Sequence, residues 1–368
     1  MENLYIHVPF CQKKCDYCAF YSIENSSRDL QERWLERLRE DLEKNAYRLQ
    51  QVQTLYFGGG TPTIPDPELL EKIFRTVLAG IHLTPDAEIT SEANPETITA
   101  ERADILGKYV NRISMGVQSF REEKRKILGR HPVSAENIFP AIKNLRNAGL
   151  KNIGIDLMYA VPGETLVQWE DDLKQAVDLG VEHLSAYALT PEENTPYAIA
   201  HGLKAADDDL ASDMWHTAAN ILAQGGMKRY EISNYAKKDH EAIHNCNVWS
   251  GRTYLGLGPS ATSFDGTDRW TEQADLTAWL NGTPPEWDKI SRPARLREIF
   301  IMGLRTVKGW KKEMFSAATG CNIWCDAETE RILKNLQDQG LIRFNAAECC
   351  PTQTGLEFWN TIAEQLIL

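Results

Sequence analysis

The stretch Leu4–Ser22, LYIHVPFCQKKCDYCAFYS, runs from a short strand-like segment directly into three cysteines, Cys11, Cys15 and Cys18, spaced C-x3-C-x2-C. A β-type run that ends in a loop of soft ligands is a junction suited to holding metal at the end of a strand. It raises two questions: what needs three thiolates, and why Phe20 stands where a fourth ligand would fall.

Outward from this junction, the first half of the chain repeats one pattern. After LYIHV (Leu4–Val8) come TLYFGG (Thr54–Gly59), EITSE (Glu88–Glu92), RISMGV (Arg112–Val117), IGIDLM (Ile153–Met158) and HLSAYAL (His183–Leu189), each predicting a strand. Helical periodicity lies between them. In DLQERWLERLREDLEKNAYRL, Leu30, Trp34, Leu35, Leu38, Leu42 and Leu49 recur at three- and four-residue steps, and similar steps run through 69–77 and 166–177. Strands separated by helices pair in parallel through right-handed crossovers. Six such units are too few for an eightfold barrel, so the expected α/β fold is an open, partial (βα)6 TIM-type barrel. Its chemistry should collect at the C-terminal ends of the strands. The cysteine loop, GGGTPT (Gly58–Thr63), Glu92 and Gln118 all fall there, and Asp156 lies within the fifth strand.

Beyond residue 190 the chain predicts a turn at EENTP, a helix over Asp209–Gln224 and a segment containing HNCNVW (His244–Trp249). From about 291 the pattern shifts to ARLREIFIMGLRTVKGW and ETERILKNLQDQGLIRF, helices that end in glycine before a short strand. This predicts a small, mainly helical, winged-helix-like C-terminal domain. The expected division is a barrel core over 1–230, a connecting segment over 231–290 and the C-terminal domain over 291–368.

Composition sets the outer bounds. With 368 residues, 42% hydrophobic and 25% charged, the chain reads as an ordinary globular protein of one large and one lesser domain. A formal net charge of −12 argues against non-specific binding to nucleic acid or anionic lipid. No apolar run approaches a membrane span, and Met1–Tyr5 has no signal-peptide character. Eight cysteines in this length, three of them clustered, suggest metal in a reducing compartment rather than a disulfide framework, so a cytoplasmic protein is expected.

A structural zinc site wants four protein ligands, and no second C-x2-C pair waits at finger spacing. An iron–sulfur cluster fits the thiolates better, with one iron left open; Lys13 and Lys14 would favour thiolate and offset cluster charge. Read alone, GGGTPT is a tight turn or a close backbone approach to a polar ligand. Glu92, Gln118, Arg130 and Asp156 taken singly read more often as solvated or structurally paired residues.

Together, YIHVPFC, GGGTPT, SEANP, MGVQSF, ILGRHP and IDLMYAVPGET, in that order around C-x3-C-x2-C, resemble the radical S-adenosylmethionine (SAM) proteins. Within them the chain is most similar to the oxygen-independent coproporphyrinogen III oxidase family and its sister branch, the HemW-type haem chaperones. The resemblance implies a radical SAM barrel in which Cys11, Cys15 and Cys18 hold a 4Fe–4S cluster. It implies that Tyr5, Gly59, Gly60, Thr61, Glu92, Gln118, Arg130 and Asp156 contact SAM. The oxidases carry a further cysteine where this chain has Phe20, and a longer arm before the motif than the ten residues here. Both departures point to the chaperone branch. HNCNVW matches that branch's H-N-x-x-Y-W signature at His244, Asn245 and Trp249, with Val248 in place of tyrosine. This implies His244 as a haem ligand, whereas an isolated histidine more often makes a structural hydrogen bond.

The expected function is therefore a haem chaperone that hands haem to an acceptor protein, a membrane respiratory enzyme by the resemblance, with no porphyrinogen turnover. Radical decarboxylation of coproporphyrinogen III is the alternative, and a radical SAM enzyme modifying haem is the third reading. Cys246 reads as a buried inert thiol, the alternative being a second soft ligand inside the motif, and Cys321, Cys325, Cys349 and Cys350 read as core and surface thiols, the alternative being a second cluster made from these four.

Overall fold

The computed structural model describes residues 1–203, 207–321 and 327–367. Its centre is a run of six parallel strands, β1 (Asn3–Val8), β2 (Val52–Gly59), β3 (Leu83–Ala93), β4 (Arg112–Gln118), β5 (Asn152–Tyr159) and β6 (His183–Ala188), hydrogen-bonded in sequence order. These are the six expected strands, and the radical SAM-type α/β barrel read from the sequence is the fold of this chain. Helices α1 (Arg28–Asn45), α2 (Pro67–Ala79), α3 (Ala100–Tyr109), α4 (Ile138–Asn147) and α5 (Leu166–Asp178) return the chain between strands.

Local chemistry starts these helices where the topology needs them. Ser27, Asp66, Thr99 and Thr165 each accept a backbone N–H of the first turn, and Thr165 with Gln168 forms a full capping box. The apolar stripe of α1 buries Trp34, Leu35, Leu38 and Leu42 against the outside of the strands, where Trp34 meets Phe10 edge-on at 5.6 Å between centroids. Each such side chain contributes about 1.5–3 kcal/mol of burial. The strands are apolar on this outer face. Their inner face is polar, which is unusual for a barrel and is where the cavity lies.

The segment over 231–290, expected as a connection, instead supplies most of both sheet edges. β7 (Lys228–Arg229) and β8 (Asn234–Ala236) extend the β6 edge antiparallel. β9 (Tyr254–Leu257) returns across the molecule to pair parallel with β1, Asn3 opposite Tyr254. β10 (Thr262–Phe264), β11 (Arg269–Thr271) and β12 (Glu286–Asp288) follow as an antiparallel meander, completing a sheet in the order β12-β11-β10-β9-β1-β2-β3-β4-β5-β6-β8-β7 among the described residues. Strands of two to four residues are too short for a period-two pattern to stand out from loop sequence. Helix α6 (Asp208–Gln224) matches the expected Asp209–Gln224, and α7 (Ile243–Trp249) carries HNCNVW across the N-terminal end of the strands.

The C-terminal part has its own core of Phe300, Trp310, Phe315, Leu333, Leu336 and Ile362. It comprises α8 (Arg292–Gly303), α9 (Lys312–Thr319), α10 (Ala327–Asp338) and α11 (Trp359–Ile367), with a small sheet of β13 (Trp310–Lys311), β14 (Ile342–Phe344) and β15 (Glu348–Pro351). Glu231, fully buried, receives Arg305 at 3.4 Å, and Arg305 lies over Trp249 of α7 on one side and Trp359 on the other. Cys349 belongs to this core, Cys350 is buried beside it, and Cys325 lies outside the described residues. No helix among the described residues is long and apolar enough to cross a membrane.

Candidate active site

The cysteine loop is anchored before it is functional. Phe10–Cys11 pairs in parallel with Ile23–Glu24, closing the base of the loop, and Cys18 N–H donates to Cys15 O at 3.1 Å. Asp16 N–H donates to Leu128 O, tying the loop to the segment after β4. Gly129 sits against Asp16 at φ +63, where a Cβ would lie 2.2 Å from the carboxyl carbon, so only glycine allows this approach.

Cys11, Cys15 and Cys18 all line one cavity of about 380 Å³ in the barrel interior. Burial pushes the Cys11 thiol up and the Cys18 thiol to about 11, outweighing the pull of Lys14 on Cys18. The lysines alone therefore do not make these thiols thiolates; a bound metal centre does so outright. The donor set suits such a centre. Three thiols face one space, Arg130 Nη1 lies 3.7 Å from Cys15 Sγ, and no other cysteine of the described residues lines the cavity.

Gly59, Gly60, Thr61, Glu92, Gln118, Arg130 and Asp156 line the same cavity. Gly59 takes φ +110, and a Cβ there would sit 2.7 Å from the His7 ring; at Gly60 it would meet Phe10 O at 2.6 Å. Thr61 N–H donates to Phe10 O, and its Oγ1 accepts from Asn94 Nδ2 at 2.9 Å and lies 3.8 Å from Cys11 Sγ. Glu92 accepts from Tyr56 OH at 2.9 Å and from Gly59 N–H at 3.1 Å, yet burial pushes its pKa up to about 7. Burial also raises Asp156, which accepts from Ser114 Oγ at 3.3 Å. Arg130 donates to Asn94 Oδ1 at 2.8 Å and to Gly116 O. Gln118 ends β4 at φ +67, where the ladder to β5 slips by one residue.

Two expected residues do not line this cavity. Tyr5 OH lies 3.1 Å from His7 Nδ1, and its ring stacks on Tyr56 at 6.0 Å, so it backs the wall rather than forming it. His244 lies under the barrel floor, 6% exposed, with Nδ1 2.7 Å from Thr54 Oγ1 and its ring 5.0 Å from Tyr56. Glu88 accepts both Ile243 N–H and His244 N–H at 2.9 Å, and Asn247 Nδ2 donates to Asn3 Oδ1 at 2.8 Å. In this arrangement the imidazole holds α7 to the floor, and burial presses its pKa down to about 3. Asn245, the next residue, does line the cavity.

The sequence reading missed Tyr17, Tyr56, Asn94, Arg112 and His183, all in the cavity wall. Alternation was the available signal: Arg112, Ser114, Gly116 and Gln118 share one face of β4, so a polar set at period two marked an inward polar face.

The sequence profile of the Radical SAM superfamily matches residues 5–176, and that of the HemN C-terminal domain matches residues 290–358. The chain is 33% identical over 377 residues to the protein named heme chaperone HemW of Escherichia coli, covering 98% of this chain and 97% of that one. It is 28% identical to heme chaperone HemW of Lactococcus lactis, covering 100% and 97%. It is 32% identical to the mitochondrial radical S-adenosyl methionine domain-containing protein 1 of Danio rerio, covering 83% and 73%. Among solved structures it resembles coproporphyrinogen III oxidase (HemN) of Escherichia coli, a radical SAM enzyme, with a TM-score of 0.84 over 99% of this chain and 89% of that one. At 22% identity this likeness establishes the shared fold.

Proposed function

The chain belongs to the HemW family of radical SAM proteins, and from that premise we propose that it is a haem chaperone using a 4Fe–4S cluster and SAM. The observation that carries this reading is the convergence of Cys11, Cys15 and Cys18 with seven of the eight expected SAM residues on one cavity, in a chain matching HemW relatives end to end. The three cysteines would hold the cluster, and the cluster with SAM supplies one-electron chemistry when bound.

The protein's own residues do the positioning. Gly59 and Gly60 would let backbone approach the ligand closely, Glu92 would offer a carboxylate to its ammonium group, and Arg130 braces the Cys15 side. Asp156, in the same cavity, would offer an acceptor to the nucleoside. We assign haem delivery to an acceptor protein, a membrane respiratory enzyme by resemblance, and a cytoplasmic location.

Haemin titration tests the reading: a Soret band saturating near one equivalent is expected, and its absence overturns it. For His244 to ligate iron, the ring must leave Thr54 and the floor of the barrel. A band lost in His244→Gln with SAM binding intact supports that ligation; a band that persists reassigns the iron. Anaerobic incubation with coproporphyrinogen III is expected to yield no protoporphyrinogen.

SAM affinity carries a second expectation. Burial disfavours the charge of Glu92 and pushes its pKa up to about 7. An ammonium partner binds the ionised form, so SAM affinity should fall as pH drops from about 8 to 6. Glu92→Gln should weaken SAM binding by roughly 10-fold or more, the loss of one charge-assisted hydrogen bond, and flatten that pH dependence. Equilibrium titration of cluster-loaded protein measures both, and an unchanged profile in Glu92→Gln removes Glu92 from this role.

A further inference from the structure

We propose that the deep end of the barrel cavity is a carboxylate-recognising subsite, built by Arg112 with His183 beside it, which takes a propionate arm of the haem. It rests on the haem reading above and adds where and how the ligand is recognised.

Arg112 and His183 open β4 and β6, so both stand at the N-terminal end of the barrel, the far end from the cysteines, and both line the cavity. They are 2% and 1% exposed. Arg112 Nε is sealed from solvent without a hydrogen-bond partner, and so is His183 Nδ1. The buried carboxylates of this cavity are engaged elsewhere, Glu92 with Tyr56 and Gly59, and Asp156 with Ser114. They feel Arg112 through its field, which draws both toward the ionised form, but neither is bonded to it.

His183 is a second unsatisfied donor. Its Nε2 lies 2.8 Å from Tyr230 OH, and Tyr230 already accepts Ala242 N–H at 3.2 Å. Tyr230 is satisfied in full only when its own hydrogen goes to Nε2. Burial keeps the ring neutral, so the remaining proton sits on Nδ1 with no acceptor. Gly154 opposite leaves open the space a Cβ would occupy, 3.0 Å from that nitrogen. A buried guanidinium whose Nε has no acceptor and a neighbouring ring N–H without one ask for a planar anion with two oxygens, and a carboxylate can meet the Nε edge of a guanidinium in bidentate fashion.

The size and rim of the cavity fix the rest. At about 380 Å³ it falls near the lower end of the roughly 300–1,000 Å³ of small-molecule sites. Sharing that space with SAM, it admits an arm of a tetrapyrrole and not the ring. Phe20 and Tyr187 also line the cavity and are 70% and 42% exposed, so their faces stand at the mouth, where a flat apolar macrocycle would rest. Phe20, which replaces the oxidases' extra cysteine, thereby acquires a role in ring contact.

Haemin and haemin dimethyl ester, which lacks free propionates, separate the terms. With cluster-loaded wild-type protein, haemin should bind roughly tenfold tighter than the ester, as expected for one charge-assisted pair. In Arg112→Gln that preference should vanish, in Arg112→Lys it should return in part, and in His183→Gln it should shrink. Retained iron content and far-UV circular dichroism certify each variant. Equal affinity of the wild type for both porphyrins overturns the subsite without any variant, and a preference that survives Arg112→Gln overturns Arg112 as its origin. If the wild type binds neither porphyrin, the haem reading itself falls, a distinguishable result.

Discussion

Replacing any one of Cys11, Cys15 or Cys18 with serine is expected to abolish the metal centre. Anaerobically reconstituted iron should drop from about four per chain to near zero, with loss of the broad charge-transfer absorbance. The expectation is all-or-none because the cavity offers no substitute. Of the described cysteines only these three line it, while Cys349 lies in the C-terminal core and Cys350, buried next to it, donates from Sγ to Lys308 O at 3.1 Å. Cys246→Ser and Cys349→Ser serve as controls and should retain iron. A serine variant at position 11, 15 or 18 that still held a full complement of iron would remove the basis for the whole site.

The largest expected effect on stability falls on a residue that touches no ligand. Arg125, 0% exposed, donates to Val117 O at 2.7 Å, Val133 O at 2.8 Å, Pro132 O at 3.0 Å and Glu96 Oε1 at 2.9 Å. It thus stitches the end of β4 to the loop that carries Arg130 toward Cys15. Arg125→Met leaves three carbonyls without their donor and Glu96 with only its longer pairing to Arg130 at 3.8 Å, at a cost of about 3–5 kcal/mol. Urea unfolding should show the midpoint shifted down, and Arg125→Lys should recover only part because it keeps the charge but loses the fork. SAM affinity should fall with it, since Arg130 and Gln118 lose their support. An unchanged midpoint would show that the loop holds itself without this bracket. The neighbouring Lys124 makes a comparable knot, to Glu164 at 2.5 Å and Asp172 at 3.2 Å, with Asp172 also accepting Ser119 Oγ and Phe120 N–H. Two adjacent buried cations on one short helix (Glu122–Ile127) therefore fix the segment between Gln118 and Arg130 from opposite sides.

The haem motif shows where sequence and structure part. HNCNVW is legible as a motif, yet the fold spreads its residues over different tasks. His244 and Asn247 tie α7 to β1 and β2, Asn245 turns into the cavity, and Trp249 packs under Arg305 toward the C-terminal domain.

What the sequence determined by itself is local and repeated. The alternation of short apolar runs with 3.6-period helices encodes the six parallel strands, the capping residues mark helix starts, and C-x3-C-x2-C gathers three soft ligands in one loop. Such features need only neighbours in the chain. What tertiary structure decided is non-local: that β9 crosses the molecule to pair with β1, that α7 closes the barrel floor, and that Arg112 and His183, 71 residues apart by number (183 − 112), face one cavity with donors unspent. Strands of two to four residues carry no periodic signal strong enough to read, and although alternation marks the inward polar face of β4, which side chains share the cavity with it is set by the closure of the sheet rather than by adjacent residues.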